Sequence, residues 1–112
     1  MGYRLELTKT AESELRSAIE RLAVVFGSPN SAAKLLNEFK CLEPVLSTFP
    51  RCKPVFFPAC KTFGIEVRKA QVKNYLAYYT INDESKTVTV ISILAMRQDQ
   101  LANLVRDFSF FS

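Results

Sequence analysis

At 112 residues, 48% hydrophobic and a mean hydropathy of +0.04, the chain has room for one packed domain and is too apolar to be disordered. No apolar run approaches the roughly 20 residues needed to cross a bilayer, and MGYRLELTKT lacks the apolar core of a secretory signal, so a cytoplasmic protein is expected. The absence of histidine removes the usual general base near neutral pH, and three unevenly spaced cysteines (Cys41, Cys52, Cys60) make neither a disulfide framework nor a conventional zinc set.

In chain order, Tyr3, Leu5 and Leu7 alternate with Arg4, Glu6 and Thr8, the pattern of a half-buried strand. Thr8 then stands where a helix N-cap would. Ala11, Leu15, Ala18, Ile19, Leu22 and Phe26 fall at helical spacing and form one apolar stripe. Gly27 suits a left-handed helix end, Ser28 a second cap and Pro29 a first helical position, which together predict an αα-hairpin. The inner face of the second helix is Ala32, Leu35, Leu36, Phe39 and Leu42, and Pro44 predicts a kink or an end near Glu43. Residues 46–62, broken by Pro50, Pro54 and Pro58, read as a long irregular connection. One of Phe56 and Phe57 is expected to plug the seam between helices and sheet.

Three antiparallel strands follow. Residues 64–69 form the first, Ala70 and Gln71 a tight reversal, 72–81 the second and 87–94 the third. The polar run Asn82-Asp83-Glu84-Ser85-Lys86 is the loop of a hairpin. Both faces of 72–81 are apolar, which predicts a central strand covered on both sides. A short polar helix over 97–104 ends the regular structure, and the tail carries Phe108, Phe110 and Phe111, an aromatic surface that needs a cover.

Charge is concentrated. From Arg51 to Lys73 there are six basic side chains against Glu66 alone, a net of +5 in a chain of net +4, so the remainder sums to −1. A basic region of this density points to a polyanion or an acidic partner.

The order of elements and the local wording resemble the RelE/ParE superfamily of toxins from bacterial type II toxin–antitoxin pairs. The resemblance is carried by Tyr3-Arg4-Leu5-Glu6-Leu7-Thr8, by Ser28-Pro29 with Ala32-Ala33-Lys34, and most strongly by Val67-Arg68 through Tyr79. It continues into 88–94, Arg97-Gln98-Asp99 and Leu104. The resemblance implies one α+β domain over 1–112 with a β-α-α-β-β-β layout. Its sheet would be twisted and antiparallel-dominated, with the helical hairpin packed on one face. It also implies a cognate antitoxin, for which Phe108, Phe110 and Phe111 are candidate contacts, and no metal or cofactor.

The family divides by target. RelE-like members cleave messenger RNA in the ribosomal A site, and ParE-like members poison DNA gyrase. On the first pattern, the expectation is ribosome-dependent mRNA cleavage, with Arg68 and Arg97 as catalytic groups that fork onto phosphate oxygens. Lys53, Lys61, Lys69 and Lys73 would bind nucleic acid. The alternatives are a non-catalytic gyrase poison and an inactive relative that only binds its antitoxin. Where the ribonuclease branch commonly carries a tyrosine or histidine near its end, this tail has phenylalanines, which stack on bases but transfer no proton.

Overall fold

Alternation and capping set the first elements. In the computed structural model, which describes residues 2–96 and 100–111 and the side chains of these as far as Asp107, strand β1 is Arg4–Leu7. Thr8 caps helix α1 (Lys9–Glu20) by accepting the Ala11 amide at 3.1 Å. Helix α2 (Pro29–Thr48) starts at Ser28, whose hydroxyl accepts the Ser31 amide at 3.4 Å, and Gly27 at φ 59° makes the turn between the helices. The predicted αα-hairpin is therefore present.

Two details of it differ from expectation. The last turn of the first helix widens into a π-helical stretch, Arg21–Val25. The extra residue per turn rotates the following positions off the apolar stripe, so Val24, Val25 and Phe26 face outward and Phe26 is 67% exposed. Of the kink or end expected near Glu43, the end is absent, for helix α2 runs through Pro44 to Thr48. Pro44 and Lys40, whose carbonyl loses its helical partner, are both exposed and can be served by water, while buried Leu42 and Leu46 hold the other side.

Residues 46–62 are less irregular than expected. They contain the end of α2 and a short helix, α3 (Phe57–Phe63), with Pro58 in its first turn and Gly64 at φ 74° as its left-handed end. Residues 64–67, the start of the expected strand, are the helix end and an irregular link. Strand β2 is Arg68–Val72, and the reversal falls at Lys73–Asn74 instead of Ala70–Gln71. Ala70 is fully buried and paired with Ala77.

Strands β3 (Tyr75–Asn82) and β4 (Thr87–Ala95) complete a sheet of order β1-β4-β3-β2, with β1 parallel to β4 and the other pairs antiparallel. β3 is central, as its two apolar faces required. A bulge interrupts the β3–β4 ladder, for Tyr78 pairs with Ser92 and Tyr79 with Val90. Ile91 is the extra residue, and it turns to the opposite face from Val90.

Each sheet face has its own core. Leu35, Phe39, Leu42 and Leu46 of α2 pack with α1 over Ala77, Tyr79, Val88 and Val90. On the other face Ala59 of α3 and Leu104 of helix α4 (Gln100–Phe111) cover Val67, Tyr78, Ile91 and Leu94. Phe56 plugs this seam with its ring centroid 5.1 Å from that of Tyr78, while Phe57 is 70% exposed. Among the described residues no helix is long and apolar enough to cross a membrane.

Candidate functional site

The hairpin and the sheet do not close on each other at one end. There the widened turn, the start of α2, the β2–β3 turn and the end of β4 enclose a hollow of about 600 Å³. Its walls include Leu22, Phe26, Leu35, Tyr75 and Met96. Among the described residues three cations from three elements line it, Arg21, Lys34 and Lys73, and no carboxylate does. An apolar wall with cations and no anions suits a partner that brings a hydrophobic anchor and negative charge.

Lys73 occupies an unusual backbone position. It is the first residue of a two-residue hairpin turn, with Val72 and Tyr75 paired on either side, and its φ is 57°. Glycine is the ordinary choice at a first central position of positive φ, because a side chain there costs about 1 kcal/mol. Lys73→Gly should therefore stabilise the fold by roughly 0.5–1 kcal/mol in chemical denaturation. The same variant removes a cation from the hollow and should weaken action on the target.

Arg68 lies elsewhere. It pairs with Tyr79, four residues along β3 from Tyr75, so its backbone is roughly 13 Å from the hollow along the sheet. Its guanidinium contacts Glu66 and donates to the carbonyls of Arg51 at 3.1 Å and Lys53 at 2.6 Å. Its side chain is 16% exposed. The Tyr79 hydroxyl donates to the Pro50 carbonyl at 2.7 Å. Residues 54–56 then pair along β2, with the Phe56 amide on Val67 and the Lys69 amide on Pro54. The proline-rich segment is thus tied down along its length.

Arg51 extends the same network. It forks onto Asp83 at 3.1 and 2.7 Å, and Tyr3 donates to Asp83 at 2.7 Å. The Arg51 and Tyr3 hydrogen bonds hold the Asp83 carboxyl down to about 2.

The predicted lysines do not form one cluster. Lys53 supplies a carbonyl to Arg68, Lys61 is exposed on α3, and Lys69 has its ammonium 5.2 Å from the Phe56 ring centroid. Of the four, Lys73 lines the hollow. Arg97 follows the lining residue Met96 in sequence but lies outside the described residues, as do the side chains of Phe108, Phe110 and Phe111. Arg21 and Lys34, neither of them an expected site residue, complete the cationic lining. The available signal was a cation on each side of the Gly-Ser-Pro link. Among the described residues no three His, Cys, Asp or Glu side chains stand together as metal ligands.

Residues 5–100 match the sequence model of a family described as the ParE toxin of the type II toxin–antitoxin system parDE. The chain belongs to the ParE toxin family. No curated protein matches its sequence. Membership makes it the toxin of a type II pair and implies an antitoxin as partner.

In this ParE toxin the core tyrosines are spent on structure. The Tyr78 hydroxyl donates to Gln100 at 2.8 Å, and Gln100 in turn donates to the Ala95 carbonyl at 2.6 Å, fixing the start of α4. Burial pushes the Tyr78 phenol up to about 12 and raises that of Tyr79 as well. Neither phenol is suited to proton transfer near neutral pH.

Proposed function

We propose that this toxin stops growth by binding a protein, DNA gyrase, in the manner of the ParE branch, and that it does not cut RNA. The observation that carries the reading is the state of Arg68. A guanidinium whose Nε and Nη1 hydrogens are bonded to a carboxylate and two backbone carbonyls keeps only its Nη2 donors for a phosphoryl oxygen and cannot swing toward one without breaking those bonds. The sequence contributes no histidine, and the buried tyrosines hold their protons too tightly to serve. The hollow, by contrast, has the composition of a docking site for an acidic, partly apolar surface, with Arg21, Lys34 and Lys73 as its charged contacts. This reading has the toxin working in the cytoplasm, where the antitoxin silences it.

Two assays run in parallel test it. Purified toxin should block gyrase supercoiling and trap broken DNA, and added antitoxin should reverse both effects. The same preparation should leave message intact in a reconstituted translation reaction. Cleaved message with supercoiling unaffected would overturn the proposal and restore the mRNA-cutting expectation.

A further inference from the structure

The second sheet face holds a buried pair of carboxyl groups that the proposed function does not use. Asp107 of α4 is 1% exposed and the Glu14 side chain, from α1, is 19% exposed. Both meet at Ser92, the fully buried residue beside the β4 bulge. The Ser92 hydroxyl oxygen lies 2.6 Å from Asp107 Oδ2 and 3.3 Å from Glu14 Oε1, and the Ile93 amide donates to Glu14 Oε1 at 2.9 Å.

Counting protons shows what this arrangement requires. A hydroxyl has one hydrogen and can satisfy one carboxylate at a time. The 2.6 Å contact takes it, so the contact to Glu14 is favourable when Glu14 itself supplies a proton. Counting charge gives the same answer. Among the described residues Arg106 is the one cation on the pair, with Nε 3.2 Å from Asp107 Oδ1 and a terminal nitrogen 3.7 Å from Glu14 Oε2. With one carboxyl protonated the trio is neutral, and with both ionised it carries a buried excess negative charge. No other described group relieves that excess. β4 brings no charged residue, α3 brings exposed Lys61, and on α1 Lys9 is exposed and Arg16 is paired with Glu12 at 3.1 Å.

We infer that a proton held on Glu14 beside Asp107 locks α4 onto the sheet, and that α4 loosens as pH rises. In agreement with the geometry, burial first and the Asp107 hydrogen bond second push the Glu14 carboxyl up, to about 8. A carboxyl raised in the docked state takes up a proton on docking. The stabilisation is complete below the ordinary value of 4.5, weakens as pH rises and is gone above about 8. Within that window the docking equilibrium should fall about tenfold per pH unit. Undocking would uncover Tyr78, Ile91 and Leu94, so a proton controls access to an apolar sheet face.

Hydrogen exchange on the full chain tests this. After correction for intrinsic rates, protection of α4 amides should fall about tenfold per unit between pH 5.5 and 7.5, while β3 and β4 amides stay protected. Glu14→Gln, which keeps the proton-bearing shape at every pH, should flatten the dependence, and Asp107→Asn should do the same by removing the competing anion. In the unmodified protein, the Glu14 carboxyl followed by carbon-13 NMR should titrate well above 6. Protection of α4 that does not change with pH, the same slope in both variants as in the parent, or a Glu14 midpoint in the ordinary carboxylate range would each overturn the inference.

Discussion

Replacing Arg68 by alanine should lower the melting temperature by on the order of 10 °C, whatever the toxin's target. The substitution strips hydrogen bonds from the Arg51 and Lys53 carbonyls and the counter-ion from Glu66. Hydrogen bonds from a charged donor are worth about 1.5–3 kcal/mol each, and the partial exposure of this site argues for about 2–4 kcal/mol in total. For a domain of this length that corresponds to the shift stated. The backbone of 50–54 would lose two hydrogen bonds at its middle, leaving Tyr79 on Pro50, Arg51 on Asp83 and the Lys69 amide on Pro54 to hold it. Arg68→Lys should fall between, because an ammonium cannot fork across two carbonyls and a carboxylate. Calorimetry combined with a growth assay well below the melting point separates the possible roles. A positioning arginine loses stability and keeps action at low temperature. An unchanged melting curve with action abolished would mark Arg68 as a group that meets the target.

That contrast shows where the sequence was legible. Thr8, Gly27, Ser28 and Pro29 act within a few residues of themselves, so caps and the hairpin turn could be read directly. The two-sided apolar pattern of 72–81 likewise reports the strand's own surroundings, and β3 is central. Pro44 could not be read this way, since whether a proline ends a helix depends on the packing opposite it, here Leu42 and Leu46. The short helix α3 had its marks, Pro58 near the start and Gly64 just past the end. Three prolines in the same segment hid them. The expected strand therefore starts early, with its turn at Ala70–Gln71. The true turn carries Lys73 where a glycine would have announced it.

The site was harder to read for a related reason. Along the chain, charge is densest from Arg51 to Lys73. In space that stretch divides. Arg51 faces Asp83, Arg68 faces carbonyls, Lys69 lies over Phe56, and Lys73 stands at the far end of β2. Its companions Arg21 and Lys34 lie in two other elements, in the part of the chain where the charge sum is slightly negative. Nothing in linear order reports such a grouping. It depends on the hairpin folding back so that its tip meets the β2–β3 turn.

Reversing the three cations of the hollow together, Arg21→Glu, Lys34→Glu and Lys73→Glu, should abolish growth inhibition and leave the fold intact. All three residues are exposed and none appears in an ion pair among the described residues, so no folded-state partner is stranded. An exposed charge pair contributes about 0.2–1 kcal/mol, and reversal replaces attraction by repulsion. Three reversals therefore cost on the order of 3 kcal/mol of binding, about a hundredfold or more in affinity. The loss should be larger at low ionic strength, since screening weakens both terms. Net charge is a confounder, because each reversal removes two charges and the set takes the chain from +4 to −2. Lys9→Glu, Lys40→Glu and Lys61→Glu make the same change at exposed positions away from the hollow. That control should retain toxicity and gyrase binding, and both proteins should melt close to the parent. If the control loses action as fully as the hollow variant, a diffuse positive field drives binding. If the hollow variant keeps full action, the contact surface lies elsewhere on the molecule.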